Sequence, residues 1–497
     1  MSTNDLQART APLEMSADAF RAAGHRLVDA VAELLASLPS RPVTRDEAPG
    51  ALRTLLPDAL PDQGADAAAL LEAAVPLLAE HSLFNGHPRF LGYITSSAAP
   101  IGALADLLAA AVNPNVGGWQ LSPIASEIEG QCVRWIAELV GMPRETEGLL
   151  VSGGNMANFV GFLAARRAKG GAGVRETGAG GGLTFYAASE THTWAEKAAD
   201  LFGHGSAARR AVPVRDDLTM DVDALRRLLD EDRRAGRRPF LLVGNAGTVS
   251  TGAVDPLPRL AAIAREEGLW FHADGAYGAP AALCDLAPPA LREGLALADS
   301  VAVDPHKWLY APLEAGCTLV RHPGVLRDTF SYSPPYYRFD GEEEDPRTNY
   351  FEIGPQNSRG FRALKVWLAL RQAGREGYRR MIGDDIRLAR ALDAAVRREP
   401  RLEAWTLGLS IATFRYVPEG VAAGTKEGEE YLNGLNEELL HRLKASGEVF
   451  VSNAVVRGTF LLRACIVNFR TTLADVEAVP GIVVRHGAAV DRERRGR

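Results

Sequence analysis

Apolar positions along the 497-residue chain fall into two rhythms. Near the start, Phe20, Ala23, Leu27, Val31 and Leu34 recur at helical spacing behind Ser16, a good N-cap, which predicts an amphipathic helix over residues 16–37. Its broad apolar face needs a surface to pack on: this chain's own large domain or a second subunit. From about residue 130, short apolar runs at 148–151, 184–187, 240–243, 269–272 and 300–303 are separated by longer segments, several of them helical in pattern: 156–168, 222–234 and 257–267. That order predicts a mainly parallel α/β sheet, and near-continuous apolar strands fit a sheet covered on both faces.

Softer segments divide the chain. Residues 169–182 are glycine-rich and read as a surface loop, because strand and helix patterns resume on both sides. Residues 332–349 mix Ser, Pro and Tyr with the acidic run Glu342-Glu343-Glu344-Asp345, and are long enough to form a lid. Beyond a helical run at 361–373, the pattern is that of a smaller α+β domain with strands at 409–415 and 460–468. The organisation expected is therefore a helical segment over 1–90, a large domain over 91–375 and a small one over 376–497.

Composition narrows the classes. Hydrophobic residues make up 46% and charged residues 24%, ordinary for a globular protein, and the net charge of -7 without a basic, aromatic-rich stripe argues against nucleic acid as a partner. The polar start, MSTNDLQART, lacks the apolar core of a signal peptide, and the basic end Arg492 to Arg497 reads as a solvated tail. The most apolar stretch, residues 100–112, is too short to span a bilayer and carries Asp106. Cys132, Cys284, Cys317 and Cys465 are scattered, with no disulfide framework or C-x-x-C pair, and no H-E-x-x-H motif occurs. The expectation is a cytoplasmic protein without membrane partner or metal.

Polar residues follow the apolar runs, where open α/β sheets bind ligands. Ser152-Gly153-Gly154-Asn155 enters a helix, so its backbone N–H groups suit a phosphate, although positive-φ glycines alone explain such a turn. Ala273-Asp274-Gly275-Ala276-Tyr277 puts a carboxylate at a strand mouth, where a protonated pyridine nitrogen would pair it; capping a turn is the plainer role. Asp304-Pro305-His306-Lys307-Trp308 sets a lysine between apolar segments. Desolvation there is expected to lower its pKa, as suits a Schiff-base nucleophile, against the alternative of a snorkelling surface lysine. His192, in Ser189-Glu190-Thr191-His192-Thr193-Trp194, is placed either to stack on a flat ring or to make a structural hydrogen bond.

In that order, the Gly-Gly turn, strand-end His, strand-end Asp and His-Lys-Trp resemble the group II pyridoxal-5′-phosphate (PLP) decarboxylases, which include the aromatic-L-amino-acid and glutamate enzymes. The likeness runs from His87-Pro88-Arg89-Phe90 through Ser122-Pro123 and Glu127-Ile128-Glu129 to residues 361–367 and Leu462-Arg463, about four-fifths of the chain. It implies the fold type I (aspartate aminotransferase-like) architecture of PLP-dependent transferases, with the N-terminal helix packing on the partner of a homodimer whose active sites lie at the interface. By the same resemblance Lys307 would hold PLP, Asp274 would pair with its ring nitrogen and His192 would stack on its face. Gly153, Gly154 and Asn155 would cradle the phosphate near His306, while Thr248 and Ala276 would line the cofactor. Asp304 stands where the family has Asn or Asp, and a carboxylate near phosphate is repulsive.

Proton delivery to Cα would fall to Tyr336 in Ser333-Pro334-Pro335-Tyr336-Tyr337, with Tyr337 the neighbouring candidate. The substrate side is implied at Tyr93, Ile94, Gly117 and Trp119. Ile94 and Gly117 stand where the aromatic enzymes carry larger side chains, which leaves more room, and Val249 replaces a threonine. The activity implied is decarboxylation of an L-amino acid, aromatic in class, to an amine and carbon dioxide. Oxidative deamination to an aldehyde, transamination, an acidic substrate and a non-catalytic scaffold are the competing readings; Tyr336 favours the amine.

Overall fold

The computed structural model describes residues 11–171, 173–332 and 347–496. Helix α1 (Ala17–Ser37) starts where the pattern predicts, the Ser16 hydroxyl accepting the Ala19 N–H at 3.2 Å. It packs on α2 (Ala67–His81), yet within this chain Ala23 is its one buried residue, and Phe20, Val28 and Val31 remain exposed. The apolar stretch forms α3 (Pro100–Val112), whose Leu104, Leu107 and Leu108 are also exposed. Next, α4 (Pro123–Val140) runs beneath the large sheet with Cys132, Val133, Ile136 and Ala137 in its core. Among the described residues no helix is long and apolar enough to cross a membrane.

The large sheet is built from β1 (Glu147–Val151), then, after α5 (Gly154–Lys169), β2 (Leu183–Ala188). Helix α6 (Trp194–Leu201), β3 (Arg209–Val212), α7 (Val222–Arg234), β4 (Arg238–Asn245), α8 (Leu257–Glu266), β5 (Trp270–Asp274), β6 (Ser300–Val303) and β7 (Gly316–Val320) follow. Its order is β1-β7-β6-β5-β4-β2-β3, parallel from β6 to β3, with β7 antiparallel to both β6 and β1. Five of the seven strands match the apolar runs in the sequence; β3 and β7 were not anticipated. Two hydrophobic cores cover the sheet's faces, as the strands' all-round burial requires.

A long helix, α9 (Ala363–Arg398), continues well beyond the run at 361–373. It is interrupted at Gly374 (φ 63°, ψ 173°), a conformation that favours glycine. Val366, Leu370 and Ile386 join the large core, whereas Ala389, Leu392 and Val396 join that of the second sheet, so the helix bridges the two. That sheet, in the order β10-β11-β9-β8, contains β8 (Leu402–Gly408), β9 (Ile411–Tyr416), β10 (Ser452–Val456) and β11 (Thr459–Cys465), all antiparallel. Helices α10 (Lys426–Ser446) and α11 (Leu473–Arg495) cover one face. Phe90 bridges to Phe450 and the Leu91 N–H donates to the Phe450 carbonyl, so the chain before residue 91 is tied to this small unit.

Candidate active site

The carboxyl ends of β1, β2, β4, β5 and β6 face one open cavity of about 660 Å³, to which Ser452, Asn453 and Arg463 of the small sheet contribute. Gly153, Gly154, Asn155, His192, Thr248, Asp274, Ala276, His306 and Lys307 all line it, although they span more than 150 residues of sequence. Thr248 is anchored by its hydroxyl, which pairs with the Thr251 hydroxyl at 3.0 Å and accepts the Ala253 N–H at 3.1 Å.

The phosphate-type cradle is specific to glycine. Gly153, the N-cap of α5, has φ 146°, and no side chain caps the helix, so its first N–H groups are free for an anion. A Cβ on Gly154 would sit 2.6 Å from Asp304 Oδ2 and 3.2 Å from the Ala276 Cβ. The turn is therefore as tight as a backbone cradle needs to be.

At the end of β5, both Asp274 oxygens are engaged. Oδ2 accepts the indole N–H of Trp194 at 2.7 Å, and Oδ1 accepts the Ala276 N–H at 3.2 Å. His192 exposes its ring to the cavity, and Nδ1 accepts the Trp194 backbone N–H at 3.2 Å, which leaves the proton of the neutral ring on Nε2. Crowding by protein lowers the His192 pKa, with the Lys307 charge adding to the effect against the pull of Asp274. A neutral, flat ring next to an oriented carboxylate suits an aromatic cation.

Lys307 departs from the sequence expectation. Burial does act to lower its pKa, but Asp304 and Asp274 outweigh that effect, and the net shift is upward. The reason is the Asp304 carboxylate: fully buried, it lies 2.9 Å from Lys307 Nζ and 3.7 Å from His306 Nε2. Charge attraction and a hydrogen bond from the Lys307 ammonium to Asp304 both favour the protonated amine. His306 is held by the Ala315 N–H on Nδ1 at 3.1 Å, and burial lowers its pKa.

On the substrate side, Tyr93, Ile94 and Val249 line the cavity. Tyr93 adopts φ 51°, its carbonyl accepting from Arg463 Nη1 at 3.1 Å. Gly117 and Trp119 do not line it. A Cβ at 117 would meet the Asn357 carbonyl oxygen at 1.9 Å, so close backbone packing accounts for the glycine. Trp119 donates its indole N–H to Glu127 at 2.8 Å. Tyr336, Tyr337 and the acidic run beside them lie outside the described residues.

Sequence reasoning assigned no role to Arg463, which is buried in the cavity wall with Nε and Nη2 lacking partners. Nor did it give one to the Trp194 indole. A buried Trp whose N–H must find an acceptor was the available signal for the second. Among the described residues no cluster of His, Cys, Asp or Glu could hold a metal ion, and the four cysteines are free and buried.

Residues 49–416 match the family model described as the pyridoxal-dependent decarboxylase conserved domain. The chain is 32% identical over 470 residues to an aromatic-L-amino-acid decarboxylase of Bacillus atrophaeus, covering 93% of this chain and 94% of that one. A phenylacetaldehyde synthase of a Rosa hybrid cultivar is 27% identical, with 95% and 94% covered. Among solved structures, Catharanthus roseus tryptophan decarboxylase in complex with L-tryptophan superposes with a TM-score of 0.85 at 26% identity, covering 97% of this chain and all of that one.

Proposed function

Because the chain belongs to the pyridoxal-dependent decarboxylase family, we propose that its cavity releases the α-carboxylate of an aromatic L-amino acid as carbon dioxide and leaves the amine. The chain is a PLP-dependent carboxy-lyase of fold type I. The observation that carries the reading is the meeting of Lys307, Asp274 and the Gly153-Gly154 helix start in one cavity.

The residues present fit the cofactor. The N–H groups at the start of α5 would take its phosphate, with His306 close by, and only glycine leaves room for that approach. Lys307 would hold its aldehyde carbon, Asp274 would pair with the ring nitrogen, and His192 would lie on the ring face, with Thr248 and Ala276 beside it. When bound, PLP supplies the electron sink that lets the Cα–carboxylate bond break.

The protein's own part is orientation and proton control. Asp274, held by two N–H donors, presents a fixed negative charge to the ring end of the site. Asp304 keeps the Lys307 amine charged until that proton is removed. Arg463 offers a buried cation in the cavity wall for a carboxylate. Tyr336 is assigned the proton delivered to Cα, on its resemblance to the family's loop tyrosine.

Tyr93, Ile94 and Val249 form the apolar part of the pocket, while Trp119 would act from the partner across the interface of a homodimer. The uncovered apolar faces of α1 and α3 support that assembly. Four free, buried cysteines agree with a reducing, cytoplasmic setting. A second reading, conversion to an aldehyde, is favoured by the likeness to the rose phenylacetaldehyde synthase. A screen of aromatic amino acids, with glutamate and aspartate included, that measures amine, aldehyde and carbon dioxide together tests both.

A further inference from the structure

We propose that Trp194 is a positioning residue that fixes the Asp274 carboxylate and the His192 ring together, setting both against the flat cofactor. The assignment rests on the PLP reading above. Trp194 opens α6 and is fully buried. Its indole N–H donates to Asp274 Oδ2 at 2.7 Å, and its backbone N–H donates to His192 Nδ1 at 3.2 Å. One residue thereby reaches the carboxylate for the ring nitrogen and the imidazole for the ring face, which come from different strands.

Trp194 is itself held from behind. Its ring meets His272 edge-on, with centroids 5.8 Å apart and planes at 80°. His272 is tied at both nitrogens, Nδ1 to the Ser300 hydroxyl at 2.7 Å and Nε2 to Asn158 Oδ1 at 2.8 Å; burial lowers its pKa to about 4, so it is neutral at pH 7. Asn158 Nδ2 in turn donates to the Gly154 carbonyl at 2.9 Å. A single buried chain thus runs from the Asp274 carboxylate to the first turn of α5, joining the two ends of the cofactor site. Every polar atom named in it has a partner, the condition under which a buried network rigidifies its surroundings. The plainer role, an interior Trp that satisfies its N–H with a nearby acceptor, would affect folding stability and leave the cofactor's orientation alone.

The test compares purified wild type, Trp194→Phe, Trp194→Tyr and Trp367→Phe. The last loses an indole N–H to Gln131, at 2.6 Å, away from the cavity. PLP retention is measured by equilibrium dialysis, and the circular dichroism of the visible Schiff-base band reports orientation. Trp194→Phe is expected to bind PLP about ten- to a hundredfold more weakly, as loss of a hydrogen bond to a charged group implies, and to alter the visible dichroism. Trp194→Tyr, with a shorter reach but a hydroxyl donor, falls between, and Trp367→Phe matches wild type. If Trp194→Phe does not fold, the Tyr variant alone decides, by the same two readouts. Wild-type retention and dichroism in the folded Trp194 variants would overturn the positioning role while leaving the PLP reading intact. A wild type without the Schiff-base band would overturn that reading first.

Discussion

Lys307 Nζ and Asp304 Oδ2 form an ion pair at 2.9 Å, with the carboxylate fully buried and the amine partly so. A lysine that must add to an aldehyde reacts as the neutral amine, yet this partner stabilises the ammonium form. Asp304→Asn keeps the shape and removes the charge. The amine should then lose its proton at lower pH, and the pH profile for the rate of Schiff-base formation by the cofactor-free protein should move downward. Stopped-flow absorbance on adding PLP across pH measures it; an unmoved profile would remove Asp304 from proton control.

A second buried pair concerns the frame. Arg359 donates to Glu129 Oε2 at 3.1 Å and to the Val116 carbonyl at 3.0 Å, while Glu129 Oε1 accepts the Leu150 N–H of β1 at 2.9 Å. Arg359→Ala would strand a fully buried carboxylate and should cost about 3–5 kcal/mol in urea unfolding. Pairing Arg359→Met with Glu129→Gln should restore part of that loss, since no buried charge is left alone.

Asp385 accepts the Trp308 indole N–H at 2.9 Å and the Tyr310 hydroxyl at 2.7 Å; burial raises its pKa to about 7 against the pull of those donors. The unfolded carboxyl titrates near ~4, so the folded state holds the proton more tightly. Its contribution to stability is therefore greatest below pH 4, declines between about pH 4 and 7, and stays reduced above, by at most about 4 kcal/mol. Asp385→Asn should remove that decline. Unfolding free energies of both proteins at pH 4.5 and 7.5 give the difference in slope, and equal slopes would refute it.

The uncovered face of α1 gives a prediction about assembly. Val28→Glu with Val31→Glu puts two charges on it without touching the large core. Sedimentation should show a wild-type dimer and a variant shifted to monomer with reduced activity. A fully active wild-type monomer at micromolar concentration would contradict the homodimer.

Much of this was legible in the sequence because it lies in short-range pattern. Strands β2, β4, β5 and β6 are apolar almost throughout, and the residues after them mark the strand mouths. Strand β3 was hidden: its Arg209 and Arg210 lie at the sheet edge, where Glu196 and Asp232 receive them. Strand β7, antiparallel and directly after the Lys307 motif, gives no βα rhythm to read. Helix α9 looked shorter because Gly374 breaks its periodicity. In the site, the motif order placed Lys307, Asp274, His192 and the Gly153-Gly154 turn around one cavity. The sign of the Lys307 shift escaped because it depends on how closely Asp304 approaches, and Trp194 meets Asp274 across 80 positions of sequence.

The most direct test of the central claim is a product balance. Purified protein with PLP is given L-tryptophan, L-tyrosine and L-phenylalanine in turn, and carbon dioxide, amine and aldehyde are quantified for wild type and Lys307→Ala. Amine and carbon dioxide are expected in equal amounts from at least one of the three, with both products and the Schiff-base band lost in the variant. A wild type that shows the band but yields neither carbon dioxide nor amine, or a Lys307→Ala protein that retains turnover, would contradict it.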